Sequence, residues 1–172
     1  MKNEISIKNL ILNYGLILGT LSILLHLIQY ALGQHIDPHW SSNLLSVVLV
    51  VLFIIYGIKK YKQQNNYTLT WGQSLKVGVG IAVFSAFIYS VYFIVFTSYI
   101  EPNFYEQLIE LQSEKMIDKG LTDEQIEMTM KMTKKFVSPY LSVAFGIISF
   151  AVLGFITSAI TGAVLKTPKT LD

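Results

Sequence analysis

Long apolar runs separated by short polar or charged stretches dominate the chain. A helix needs about 20 apolar residues to cross a hydrocarbon core, and it is the single-segment structure that satisfies its own backbone hydrogen bonds there. Four stretches fit, at about 9–33, 42–58, 75–100 and 136–165, each bounded by Lys, Pro or acidic residues. The second is the shortest, but Leu44 to Ile58 holds one Ser, one Gly and no charge, so it spans with Trp40 and Tyr61 as interfacial ends. The third and fourth are long enough to tilt or protrude.

The stretch 101–135 is the one sizeable polar region, and its pattern is helical. Pro102 suits the first turn of a helix running to Lys119, with Phe104, Leu108 and Leu111 on one face and Glu106, Glu110 and Glu114 on another. Gly120 stops that helix, and Thr122 with Gln125 forms a capping box that starts a second, directed toward the fourth span. Pro139 disfavours a helical Ser138, which predicts a kink or break at that junction. The expected fold class is therefore all-α: one polytopic integral membrane domain over 1–172, with four transmembrane helices and an extramembrane helical hairpin between the third and fourth.

Composition supports a membrane protein and narrows the chemistry. Of the 172 residues 52% are hydrophobic and only 14% charged, and the mean hydropathy is +0.51. There is no cysteine, which excludes disulfides, zinc–thiolate sites, iron–sulfur clusters and thiol catalysis. A net charge of +2 with no basic tract argues against a nucleic-acid partner. Every basic residue is lysine, and the lack of Arg beside abundant Ile, Lys and Asn points to an AT-rich, bacterial source.

Divided by the four spans, that small net charge becomes a topology signal. The N-terminal tail, the second connection and the C-terminal tail carry Lys2, Lys8, Lys59, Lys60, Lys62, Lys76, Lys166 and Lys169 against Glu4 and Asp172, a net +6. The other side carries five Lys against Asp37 and eight acids of 101–135, a net −4. The lysine bias places both termini in the cytoplasm of a bacterial inner membrane. The first apolar run is too long for a signal-peptide core, so it reads as an uncleaved anchor.

Gly15, Gly19, Ser22, His26, Gln29 and Gly33 recur at intervals of four and three, forming one stripe down the first helix. Small residues permit close helix approach, and His26 and Gln29 can hydrogen-bond across the contact; the functional alternative is a proton-relay or ligand-binding His26. Gly78, Ala82 and Ser85, and Gly154, Ser158 and Gly162, form similar seams, so the first, third and fourth spans are expected to pack together. The second, aliphatic on nearly all sides, is expected to face lipid. Tyr89, Tyr92, Phe96 and Tyr99 line a further face, a candidate cavity wall. No Asp or Glu lies inside a span, which weakens an ion-coupled carrier.

His35 and His39 have HxxxH spacing with Asp37 between them, but Pro38 opposes the helix that zinc ligation needs, and solvated interfacial histidines are the better reading. Met128, Met130 and Met132 resemble Cu(I) motifs, yet a helix turns Met130 away from the other two, which favours hydrophobic packing of the hairpin. No metal or cofactor is expected. Phosphate-cradling, zincin, nucleophile-elbow and dinucleotide motifs are all missing.

Gly57-Ile58-Lys59-Lys60-Tyr61-Lys62, Leu69-Thr70-Trp71-Gly72-Gln73-Ser74-Leu75-Lys76-Val77-Gly78, Tyr99-Ile100-Glu101-Pro102 and Lys135-Phe136-Val137-Ser138-Pro139 resemble, in order and spacing, bacterial membrane proteins grouped as domain-of-unknown-function family 4199. The resemblance covers nearly the whole chain. It implies four spans with a charged segment before the last, and supplies no catalytic residue. The expected function is a non-enzymatic interaction or assembly module, with membrane lipids, a second copy or another membrane protein as partners through 101–135. The alternative is a small transporter or channel subunit with a cavity between the first, third and fourth spans, lined by His26, Gln29, Tyr89 and Tyr92.

Overall fold

The computed structural model describes residues 6–167. Lys2, Glu4, Lys169 and Asp172, on which part of the charge asymmetry rests, lie outside the described residues. Six helices follow in order: α1 Ile7–Ala31, α2 Trp40–Gln64, α3 Trp71–Val95, α4 Phe104–Asp118, α5 Asp123–Phe136 and α6 Pro139–Leu165, with a π-helical turn, Phe96–Ile100, prolonging α3. No strand occurs among the described residues.

Four of these helices are long and apolar enough to cross a membrane: α1 and α2 with 25 residues each, α3 with its π turn 30, and α6 27. At about 1.5 Å per residue even the shortest exceeds a hydrocarbon core of roughly 30 Å. Leu16, Ile28, Leu52, Phe87, Phe145 and Ile160 all stand outward on them. Such an apolar mantle is a liability in water and carries no penalty in hydrocarbon. The chain is an all-helical integral membrane protein.

The second apolar helix is longer than the hydropathy pattern predicts, because it continues past Lys59, Lys60 and Lys62 to Gln64. Tyr61 is buried against the bundle, while Trp40 at the other end is exposed. The expected break at Pro139 is present. Ser138 is extended, its hydroxyl accepts from the Leu141 amide as the cap of α6, and Pro139 takes the first helical position, where a missing N–H costs nothing. The Thr122–Gln125 capping box is formed. Gly33 and Gly120 adopt φ of +69° and +75°, each closing a helix with the paired hydrogen bonds of a Schellman turn: Gly33 to Tyr30 and Gln34 to Gln29, then Gly120 to Ile117 and Leu121 to Met116.

Helix α3 is the centre of the bundle. It runs antiparallel to α2 and α6 and parallel to α1, and it packs against all three. Against α6 the small residues meet directly. A Cβ at Gly154 would stand 2.6 Å from the Ala82 Cβ, one at Gly162 2.7 Å from the Ser74 Cβ, and one at Gly78 would collide with Ser158. The Ser74 hydroxyl and the Trp71 indole donate to the carbonyls of Ser158 and Ala159, at 2.8 and 3.1 Å. Most other buried hydroxyls, including Ser90 and Thr161, donate to carbonyls one turn back in their own helix, which satisfies them without an interhelical partner.

Two packing expectations are corrected. Helices α1 and α6 share no extensive contact among the described residues; they flank α3, and α2 packs against all three of the others. Gly78 and Ala82 meet Ser158 and Gly154 of α6, whereas at Ser85 it is the backbone carbonyl that lies against Gly19 of α1. Nor is α2 lipid-facing throughout. Leu44, Leu45, Val48 and Leu52 are exposed, but Val50, Ile54, Gly57 and Ile58 are buried in the core with Leu10, Val77 and Ile81. Gly57 lies against the end of the Ile81 side chain, which an added Cβ would meet.

Candidate functional site

The polar and aromatic groups that carry chemistry gather at the end of the bundle where α1 stops and α4 begins. Its position follows from side-chain size along the α1–α3 seam. At Gly15 and Gly19 the helices are close: added Cβ atoms would lie 3.2 Å from the Ile81 carbonyl oxygen and 3.1 Å from that of Ser85. Beyond Ser22, whose hydroxyl turns back to the Leu18 carbonyl, the facing residues become His26 on α1 and Tyr89, Tyr92, Phe93 and Phe96 on α3. His26 and Gln29 are both buried.

The His26 imidazole is enclosed by rings. Phe96 lies edge-on at 4.8 Å between centroids, Tyr92 at 5.6 Å, Phe93 at 5.9 Å and Tyr89 at 6.0 Å. Its Nδ1 is 2.9 Å from the Tyr92 hydroxyl, the one polar tie between α1 and α3 at this level among the described residues. Tyr89 has a second role. With Ser90, Phe93, Ser142, Gly146 and Phe150 it lines a groove of about 210 Å³ between α3 and α6. This groove lies between the third and fourth spans, and of the four residues expected to line a cavity it includes Tyr89 but not His26, Gln29 or Tyr92.

His35 does not behave as a solvated loop residue. The Schellman turn at Gly33 reverses the chain, and the His35 side chain, 9% exposed, folds under the connection onto Tyr30, Phe96 and Phe104, 6.4 Å from the His26 ring. Its Nε2 is 3.5 Å from a carboxylate oxygen of Glu101. That contact is electrostatic and not a formed hydrogen bond, so both ring nitrogens are buried without a hydrogen-bond partner. The other Glu101 oxygen accepts from Gln107 Nε2 at 2.6 Å. His39 goes elsewhere, capping α2 through its Nδ1, and Asp37 meets Lys115 of α4 at 2.6 Å. The three residues of the candidate zinc motif have three separate destinations.

Sequence patterning places His26, Gln29, Tyr89 and Tyr92 at one level and misses His35, Glu101, Phe104 and Gln107. These come from a reversed connection and from the far side of the π turn, and no helical periodicity relates them. Tyr99 leaves the aromatic face for the same reason. The i→i+5 turn inserts an extra residue after Phe96, and Tyr99 is 81% exposed while Phe96 is fully buried. Tyr105, beside the cluster on α4, has its phenol pushed above the ordinary range by burial, with Ser142 acting in the opposite sense. The methionines of α5 also differ from expectation: Met130 is buried, but Met128 and Met132 are 68% and 56% exposed.

Chemically, the cluster is a closed aromatic box around two imidazoles with a carboxylate at its rim. It offers hydrogen-bonding and proton-holding capacity and a ring lining suited to apolar or cationic contact.

The family model for proteins of unknown function (DUF4199) matches residues 13–167. No curated protein and no solved structure matches the chain. With the family match running from Asn13 to Thr167, the chain belongs to the DUF4199 family of proteins of unknown function.

Proposed function

We propose that this protein is a non-enzymatic interaction or assembly module of the bacterial cytoplasmic membrane, with both termini in the cytoplasm. In this reading α4 and α5 form an acidic helical hairpin outside the bilayer, and its partner is another membrane protein or a second copy of the chain. One observation carries the proposal: Ile117, Met128 and Met132 are each more than half exposed on these otherwise charged helices, outside the apolar spans. Methionine is adaptable and polarizable, a side chain suited to a surface that meets a partner. The ion pair between Asp37 and Lys115 supports the helices from the first connection.

A transporter or channel subunit has less support. The α1–α3 seam is closed at Gly15 and Gly19, and the polar cluster is sealed by rings rather than continued by polar side chains along the bundle. Single cysteines introduced at Glu110 or Glu124 act as unique crosslinking sites in a chain that has none. In intact membranes they are expected to trap a reproducible neighbour; labelling confined to the monomer at both positions would refute the proposal.

A further inference from the structure

The opposite end of the bundle is built from the starts of α1 and α3 and the ends of α2 and α6. Lys8, Lys59, Lys60, Lys62, Lys76 and Lys166 lie there, and no Asp or Glu does among the described residues; Asp37 and every acid from Glu101 to Glu127 belong to the other end. A cluster with this excess of lysine, net +6 when Lys2, Glu4, Lys169 and Asp172 are also counted, attracts anions.

Within it Lys60 is distinctive. Lys62 is engaged, donating to the Leu165 carbonyl at 2.7 Å and so satisfying the end of α6, and Lys59 is exposed. Lys60 is half-buried and has no hydrogen-bond or ion-pair partner among the described residues. It lines an open depression of about 440 Å³ between α1 and α2, with Asn13 and Gln64 as further donors and Leu10, Tyr14 and Ile17 as apolar wall. That volume lies within the range of small-ligand sites.

The order of the lining is informative. Because α1 and α2 are antiparallel, Gln64 lies nearest the bundle end, Lys60 one turn deeper, and Tyr14 and Ile17 toward the bundle middle. Polar donors at the rim grading into an apolar wall match an amphiphile with an anionic head. A soluble anion would use only the rim, and a zwitterionic lipid, though it has a phosphate for Lys60, would bring a second cation among the lysines and no net counter-charge.

We infer that this depression is a binding site for an anionic glycerophospholipid, its phosphate held by Lys60 with Asn13 and Gln64 and an acyl chain lying along Tyr14, Leu16 and Ile17. The inference rests on α1 and α2 crossing a bilayer and is independent of the role of α4 and α5.

Native mass spectrometry of the full chain in a neutral maltoside detergent tests it, with phosphatidylglycerol, phosphatidylcholine and inorganic phosphate as probes. One phosphatidylglycerol is expected to be retained in preference to phosphatidylcholine, without displacement by excess phosphate. Lys60→Gln should weaken retention about fivefold, the contribution of one lysine near an anionic headgroup. Lys59→Gln should leave it unchanged, and Ile17→Trp should reduce it by filling the apolar wall while keeping every charge. Equal losses in the two lysine variants would mean diffuse attraction and overturn the site. Displacement by phosphate alone, or equal retention of phosphatidylcholine, would overturn the lipid assignment.

Discussion

The Tyr92 hydroxyl lies 2.9 Å from Nδ1 of His26, joining α1 to α3 inside a shell of aromatic rings. Either the phenol O–H donates to a neutral Nδ1, or an Nδ1–H donates to the phenol oxygen; both arrangements satisfy an atom that hydrocarbon and rings would otherwise leave bare. Tyr92→Phe should therefore destabilise the fold by about 1 kcal/mol, the usual scale for a hydrogen bond between membrane helices. Adding His26→Phe to that variant should recover part of the loss, because it removes the stranded partner as well. Reversible unfolding in mixed micelles measures both; a Tyr92→Phe variant as stable as the parent would show that the bond contributes nothing net.

His35 presents the opposite situation, a buried ring with two unpartnered nitrogens. His35→Phe keeps an aromatic ring against Tyr30, Phe96 and Phe104 and removes both nitrogens, so at neutral pH it is expected to be neutral or stabilising. Phe96→Ala, at a fully buried ring in contact with both histidines, should instead lose about 3–5 kcal/mol. The same unfolding measurement ranks the two. A His35→Phe loss as large as that of Phe96→Ala would mean that the 3.5 Å contact with Glu101 stabilises the fold despite the missing hydrogen bond.

Two glycines of α6, one packed against α3 and one beside open space, should respond differently to one added methyl group. At Gly154 the new Cβ would meet Ala82 at 2.6 Å, so α3 and α6 must move apart, an overpacking cost of about 1–3 kcal/mol. Gly146 has nothing within 4 Å, and Gly146→Ala should gain up to about 1 kcal/mol from helix propensity. Thermal denaturation of the two purified variants distinguishes them by sign.

Thr122→Ala removes the side-chain acceptor of the capping box at the start of α5. About 1 kcal/mol of local helix stability should be lost. Hydrogen exchange should quicken in the first turn after Thr122 and stay unchanged in the buried halves of α3 and α6. Uniform acceleration along the chain would instead mean that α5 unfolds only with the whole protein.

Local chemistry made several features readable from the residues alone. The Thr122–Gln125 box, the Gly120 stop and the Pro139 break each depend on a few consecutive residues and are present in the structure. Gly15, Gly19 and His26 of the α1 stripe likewise meet α3, since a regular helix carries its spacing into space. Gly33 fell outside that stripe because α1 had already ended, leaving it a turn residue with nothing within 4 Å.

By itself the sequence determined the four apolar helices, where their polar interruptions fall, and the separation of lysines from acids along the chain. Those follow from hydrophobicity, helix length and capping, which act within one segment. Tertiary structure alone decided that α3 is central, that α1 and α6 stand apart, and that α2 buries Val50, Ile54, Gly57, Ile58 and Tyr61, because close approach depends on which small residues of different helices face one another. It also decided the site. His35 meets Glu101 only after a left-handed glycine reverses one connection and a π turn shifts the register of another, and neither displacement leaves a periodic trace between residues so distant in the chain.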